Sequence, residues 1–210
     1  MRLLIARIAN NRPRQNIAVV MDLLKSTILP MHPRIVLLAI MATFLSACSG
    51  GVSGGQTADL PLTMKSPSFG DGETMPVRFT CDGEGISPSI EIGSVPAGTR
   101  TLALVMDDLN SPSGHFVHWV VWDISPNIKE VTEGAIPSGA MEGTTSAQTT
   151  GYHPPCPPAG SGPHHYQFSL YAVHDGISLS FEATRAMLEQ QMKGKVLSIA
   201  KWTGVYERRE

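Results

Sequence analysis

The chain has 210 residues, 42% hydrophobic and 16% charged, a composition that suits one globular domain with additional segments. Its formal net charge is −2, but six of the 16 basic residues and one of the 18 acidic residues precede Cys48. The remainder therefore has 10 basic and 17 acidic residues, a formal charge of −7. This acidic balance excludes nucleic acid as a partner, because binding to a phosphate backbone needs clustered Lys and Arg.

The N-terminal segment has the features of a bacterial export signal. Arg34 precedes a run of 11 apolar or small residues, too few to span a bilayer comfortably, since a spanning helix needs about 20. The residues Leu-Ser-Ala-Cys at 45–48 resemble the lipobox of lipoproteins, in which the cysteine is lipidated. We therefore predict a lipoprotein signal peptide over 31–47, lipidation of Cys48 and a flexible tether over 48–60. An ordinary signal peptide with a coincidental Cys48 is the alternative.

Residues 1–30 precede a more usual start for such a signal at Met31. They are either an upstream extension, with translation beginning at Met31 or Met21, or a long basic n-region. The expected destination is a bacterial membrane, facing the periplasm. The outer membrane is slightly favoured, because Ser49 rather than Asp follows Cys48.

Residues 61–210 are predicted to form one mainly β domain. Extended segments are expected at 75–81, 89–92, 101–106, 115–124, 165–173 and 198–206. The segment 101–106 is apolar throughout, as expected of a strand buried on both faces. Residues 125–163 are rich in Gly, Pro, Ser and Thr and predict a long irregular segment.

A change of period near the end of the chain predicts one helix over 183–197. Its expected buried stripe comprises Ala183, Ala186, Met187, Gln190, Lys193 and Leu197. Many strands and one late helix favour a two-sheet antiparallel β-sandwich.

Polar residues stand beside several predicted strands. Asp108 follows the apolar strand where a loop begins, a usual place for functional groups. His164 and Tyr166 are two residues apart and should share one face of a strand, while His165 points away. Each residue taken singly is also explained by a turn or by the core.

The histidine spacings argue against a metal site. On a regular strand His118 shares a face with Val120 and Trp122, whereas His115 faces the other way. Neither His115 with His118 nor His164 with His165 can then chelate one ion. We predict neither a metal nor a cofactor.

Two cysteines, Cys81 and Cys156, remain after Cys48. They allow one intramolecular disulfide in an oxidising compartment, or two separately buried thiols. The sequence leaves both alternatives open, because it does not show whether the two Cα atoms come within bonding reach.

Several motifs together resemble the phosphatidylethanolamine-binding protein family, within it the bacterial Raf kinase inhibitor-like branch. They are Asp-x-x-x-Pro at 108–112, His-Trp-Val-Val at 118–121, Gly-Tyr-x-x-Pro-Cys-Pro-Pro at 151–158, His-x-Tyr at 164–166 and Thr-Cys-Asp-Gly at 80–83. The resemblance covers about residues 63–208. It implies a β-sandwich of two antiparallel sheets, with a C-terminal helix packed near an anion pocket.

The resemblance also implies a binding site and a function. The site residues it implies are Asp108, Pro112, His118, His164 and Tyr166. Imidazoles and the phenol would donate hydrogen bonds to an anion, and Asp108 would fix an imidazole tautomer or accept from a head-group amine. The implied function is non-catalytic binding of a small anion or a phospholipid head group by a lipid-anchored periplasmic protein.

Two other functions are weighed against this one. An inhibitor or regulator of a protein partner, such as a protease or a signalling protein, would use residues 125–163 as its contact surface. A hydrolase is less favoured, since the sequence has neither Gly-x-Ser-x-Gly nor His-Glu-x-x-His. The chain departs from the bacterial pattern at 109–111, at His153-Pro154 where Gly-Gly is usual, and at His165 where many relatives carry Arg. These departures leave the ligand open.

Overall fold

The protein is described here by a computed structural model of residues 60–112 and 114–209. The predicted signal peptide, the lipidation site Cys48 and nearly all of the tether lie outside the described residues. Within the described ranges, no helix is long and apolar enough to cross a membrane.

The described residues form two β-sheets and one α-helix. The strands are β1 (Met64–Lys65), β2 (Glu73–Thr74), β3 (Ile90–Ile92), β4 (Thr101–Asp108), β5 (Phe116–Ile124), β6 (Glu130–Val131), β7 (Met141–Glu142), β8 (His164–Val173) and β9 (Val196–Tyr206), and the helix is α1 (Arg185–Met192). The smaller sheet has the order β1-β3-β6 and the larger has the order β2-β9-β8-β4-β5-β7. The predicted sandwich is confirmed, and its strand pairs are antiparallel except for the parallel pair β2–β9.

Strand β4 lies at the centre of the larger sheet and is buried at all eight positions. Leu102, Leu104 and Met106 face the smaller sheet, where they pack in one cluster with Ile90 and Ile92. The alternate residues of β4 pack on the other face, in a second cluster that α1 covers. Cover on both faces explains why the strand is apolar without alternation.

Helix α1 is shorter than the sequence predicted. The hydroxyl of Thr184 caps its start by accepting a hydrogen bond from the Met187 amide. Gly194, with φ +74°, follows its end, so Leu197 belongs to β9 rather than to the helix. The predicted stripe is wrong, because Leu188 and Met192 are buried while Met187 is 46% exposed. The helix also lies on the opposite face of the sheet from the pocket and does not line it.

The segment predicted as extended at 75–81 instead contains a 3-10 turn at Val77–Phe79. Thr80 closes this turn, donating from both its amide and its hydroxyl to the Val77 carbonyl, at 2.9 and 2.8 Å. Cys81 follows and is joined by a disulfide to Cys156, with the Cα atoms 5.4 Å apart. The turn thereby fixes the position of Cys81, and the disulfide from Cys81 holds the loop at 151–158.

Candidate functional site

A pocket of about 300 Å³ opens where β4 ends and where β5 and β8 begin. It brings together all five residues that the resemblance implied. Its lining is Asp108, Ser111, Pro112, Phe116, His118, His153, Cys156, Pro157, Pro158, His164 and Tyr166. The prolines, the phenylalanine and the disulfide form stiff apolar walls around a few polar groups, the usual composition of a small-molecule site.

The innermost polar contact joins Asp108 to His164. Asp108 Oδ2 lies 2.6 Å from His164 Nδ1, and both side chains are buried. Asp108 Oδ1 accepts the amide of Asn110 at 2.8 Å. Since a carboxylate only accepts, Nδ1 carries a proton, and Nε2 lies 3.1 Å from the Ser161 hydroxyl oxygen. Both nitrogens of His164 are therefore engaged within the protein.

His118 enters the pocket through a β-bulge. Met106 pairs with Trp119 and Asp107 pairs with Val117, so His118 is an additional residue on β5. A bulge places two consecutive side chains on one side of the strand. The prediction that His118 shares a face with Val120 and Trp122 is wrong, because both pack in the cluster beneath α1 while Trp119 packs on the pocket side.

The tautomer of His118 is fixed by the backbone. Its Nδ1 lies 2.8 Å from the carbonyl oxygen of His153, and the His153 amide donates to the carbonyl of His118 at 2.8 Å. A carbonyl only accepts, so Nδ1 carries the hydrogen. Burial lowers the pKa of His118 to about 4, which keeps the ring neutral. Nε2 then presents a lone pair, and it makes no hydrogen bond with the described residues.

Stability should depend on pH through His118. The folded-state pKa of about 4 lies below the ordinary 6.5. The stabilisation is therefore fully present above pH 6.5 and is lost as the pH falls through 4, by about 3 kcal/mol in all. We expect the free energy of urea unfolding of wild type to fall by about this much more than that of His118→Gln between pH 7 and pH 4. Parallel curves for the two chains would contradict a neutral His118.

Tyr166 supplies the complementary group. Its hydroxyl is buried and has no hydrogen-bond partner among the described residues. Burial raises the pKa of this phenol, so it stays protonated and can donate. Its ring stands edge-on to that of His118, with centroids 5.2 Å apart. A buried hydroxyl without a partner in a pocket wall indicates that something else fills its hydrogen bond.

No Lys or Arg lines the pocket in the described ranges. Arg208 contacts Cys156 Sγ at 3.8 Å, but its Nε pairs with Asp82 at 3.0 Å, outside the lining. The same residues include no group of three or more His, Cys, Asp or Glu side chains placed to hold a metal ion. Asp108 is the carboxyl group of the wall.

The comparisons with known proteins agree with this architecture. The sequence model of a protein family, described as phosphatidylethanolamine-binding protein, matches residues 65–207, more than half of the chain. The chain belongs to the phosphatidylethanolamine-binding protein family. This confirms the membership that the motifs predicted.

Relatives support the family assignment. A UPF0098 protein of Pyrococcus horikoshii is 34% identical over 178 residues, 81% of this chain and 88% of its own length. LppC of Mycobacterium tuberculosis, whose name describes it as a lipoprotein, is 39% identical and covers 70% of this chain and 73% of itself.

Solved structures carry the same fold. The phosphatidylethanolamine-binding protein homologue of Chlamydia trachomatis is 32% identical, with a TM-score of 0.67, over 70% of this chain and 98% of its own. YbcL of Escherichia coli, described as a member of the mammalian family, has a TM-score of 0.67 at 26% identity over 71% of this chain and 100% of its own.

His153 is one of the pocket residues that the sequence did not assign to the site. The sequence marked it only as a departure from a usual Gly. Its ring lies against Phe116 and His118, with centroids 5.8 and 5.6 Å away, and its carbonyl fixes the His118 tautomer. Burial lowers the pKa of His153. Its position in the Gly-Tyr-x-x-Pro-Cys motif could have signalled its place in the lining, but a carbonyl contact has no sequence signature.

His165 lies outside the pocket, as the period of two predicts. Its backbone amide and its Nδ1 reach Asn110 Oδ1 at 2.9 and 2.8 Å. His165, which stands where many relatives carry Arg, thus holds the loop after β4 and does not line the pocket.

Proposed function

We propose that this chain is an exported, lipid-anchored protein that binds a small phosphate-bearing ligand without transforming it. The observation that carries the proposal is the buried Tyr166 hydroxyl beside Nε2 of His118, neither of which has a hydrogen-bond partner among the described residues. Together they offer one donor and one acceptor inside a largely apolar pocket. Such a pair suits an oxygen-rich group of tetrahedral size.

The size of the pocket favours a head group over a whole lipid. Its volume of about 300 Å³ is at the lower end of the range for ligand pockets, roughly 300–1,000 Å³. Phosphate or phosphoethanolamine fits this volume, whereas two acyl chains do not. The proposal therefore includes recognition of a head group and excludes lipid transport.

The proposal that the protein is exported and anchored to a membrane is based on the sequence of its N-terminal segment. The lipobox-like residues at 45–48 and the Gly- and Ser-rich stretch that follows support lipidation at Cys48. The LppC relative is named as a lipoprotein, which agrees with this proposal. We propose a periplasm-facing position, with the outer membrane slightly favoured.

One arrangement also favours a hydrolase. Ser161, His164 and Asp108 are arranged like a Ser-His-Asp catalytic triad. Ser161 Oγ lies 3.1 Å from His164 Nε2, and His164 Nδ1 lies 2.6 Å from Asp108 Oδ2. However, Ser161 is not among the residues that line the pocket. A ligand in the pocket would lie away from this hydroxyl, so we assign the serine to holding the His164 ring. Binding without turnover remains the better-supported function.

Titration of the full-length chain in a maltoside detergent tests the proposal. We expect phosphate and phosphoethanolamine to produce saturable NMR shifts of the His118 imidazole signals. Tyr166→Phe should weaken both ligands about tenfold, because it removes one hydrogen bond to an anion, worth roughly 1.5 kcal/mol.

His174→Ala is the matched control for this titration, since His174 is exposed and lies beyond the opposite end of β8. This variant should bind as wild type does. Shifts that do not saturate, or that survive equally in Tyr166→Phe, would contradict the proposed pocket.

A further inference from the structure

We propose that the pocket selects oxyanions that carry a proton, namely inorganic phosphate and phosphomonoesters, over sulfate and phosphodiesters. This inference rests on the proposed anion-binding function and specifies its ligand class. It follows from counting which donors and acceptors the wall offers once the contacts within the protein are made.

The free nitrogen of His118 is an acceptor. The carbonyl of His153 occupies Nδ1 at 2.8 Å and can only accept, so the hydrogen of the neutral ring is on Nδ1. Four titratable groups face this imidazole: Asp108 from β4, His164 and Tyr166 from β8, and His153 from the loop. Of these groups Asp108 favours a second proton on the ring, but burial outweighs this attraction, so the ring stays neutral and Nε2 is an acceptor.

The polar atoms of His164 and Asp108 are engaged within the protein and offer no further donor to the ligand. His164 uses Nδ1 for Asp108 and Nε2 for Ser161. Both Asp108 oxygens accept internal hydrogen bonds, from His164 and from the Asn110 amide, and the carboxylate repels a second negative charge. The Tyr166 hydroxyl is the orphaned donor of the wall. The Nε2 acceptor of His118 and the Tyr166 donor therefore face the cavity beside the Asp108 carboxylate, in a wall to which Ser111 and His153 also belong.

A phosphomonoester matches this pair. Its second pKa is about 6, so near neutral pH part of it is a monoanion with one P–OH group. The P–OH can donate to Nε2 of His118 while another phosphate oxygen accepts from Tyr166. Sulfate has the same tetrahedral shape but no proton at this pH, and a phosphodiester has none either. Each would set an oxygen lone pair against the lone pair of Nε2 and leave that acceptor unpaired.

The expected discrimination is large. Sites built around a buried hydrogen bond reject analogues that lack the matching group by roughly 10⁴-fold in favourable cases, and we expect at least about 100-fold here. The phosphate of an intact phosphatidylethanolamine is a diester. The inference therefore points to free phosphoethanolamine, phosphate or another monoester rather than to the lipid itself.

Calorimetric titration of the full-length chain in maltoside at pH 6 tests the inference with four probes. Phosphate and phosphoethanolamine should bind at least about 100-fold more tightly than sulfate and glycerophosphoethanolamine. Raising the pH from 6 to 8 should weaken the monoester roughly 50-fold, because the protonated fraction falls from about one half to about one hundredth. His118→Gln, whose amide can donate, should bring sulfate to within about tenfold of phosphate.

The four probes separate failure of the inference from failure of the proposed function. Sulfate or the diester binding within tenfold of phosphate at pH 6 would overturn the selection while leaving an anion pocket. Heat signals from none of the four probes would overturn the anion-binding function and the inference with it. His174→Ala, which changes a histidine outside the pocket, should leave all four affinities unchanged.

Discussion

Replacing both disulfide cysteines, with Cys81→Ser and Cys156→Ser, should lower the free energy of unfolding by about 4 kcal/mol. The bond closes a loop of 75 residues, and the unfolded chain gains the corresponding freedom when the bond is absent. For a domain of this size, we expect the melting temperature to fall by about 10 °C. Phosphate affinity should fall as well, since Cys156, Pro157 and Pro158 form one wall of the pocket.

Urea unfolding of the variant and of wild type measures the effect. Cys48→Ser is the matched control, because it makes the same chemical change at the predicted lipidation site and should leave the unfolding midpoint of the domain in place. Addition of a reductant to wild type should reproduce the midpoint of the double variant. An unchanged midpoint in the double variant would show that the loop at 151–158 is held by its other contacts.

Asp108→Ala should lower the free energy of unfolding by about 3 kcal/mol and abolish ligand binding. The carboxylate accepts from the His164 ring and from the Asn110 amide, and its removal leaves two donors without an acceptor in a buried place. The loop that follows β4 and carries Pro112 into the lining then loses the contact between Asp108 and the Asn110 amide. Chemical denaturation and phosphate titration of the same sample measure both effects.

A double-mutant cycle identifies the cause. Combining Asp108→Ala with His164→Ala should cost about 1–3 kcal/mol less than the sum of the single changes, because the second change removes the donor that the first left unpaired. Asp175→Ala removes an exposed carboxylate that pairs with Lys195 at the surface and should leave both stability and affinity nearly unchanged. Additive losses in the cycle would contradict the Asp108–His164 contact.

Local periodicity predicted much of the fold, whereas the family resemblance implied which residues meet in the pocket. The apolar segment at 101–106 predicted a strand buried on both faces, and the structure extends that strand to Asp108. The spacing of His164 and Tyr166 predicted their common face. These predictions succeeded because each depends on the chain alone: a strand alternates its side chains wherever the backbone is regular.

The predictions that failed depend on contacts between distant parts of the chain. The bulge at His118 is a mismatch between β5 and β4, so the sequence of β5 alone does not reveal it. Helix α1 ends early because the chain turns at Gly194 and continues as β9. Leu197 lies in β9, which pairs with β8, and so is not part of the helix. The role of His153 is carried by a backbone carbonyl, which every residue has.

The bulge has a consequence for how this pocket could arise or disappear. Without His118, the remaining residues of β5 from Phe116 to Trp122 alternate faces without a break: Phe116, Trp119 and Val121 on the pocket side, and the others beneath α1. The imidazole is therefore an insertion of one residue into a stretch of β5 that is regular from Phe116 to Trp122 without it. A single codon gained or lost at this point changes the chemistry of the cavity and leaves every core side chain on its own face. Recognition in this protein can thus evolve separately from the scaffold that supports it.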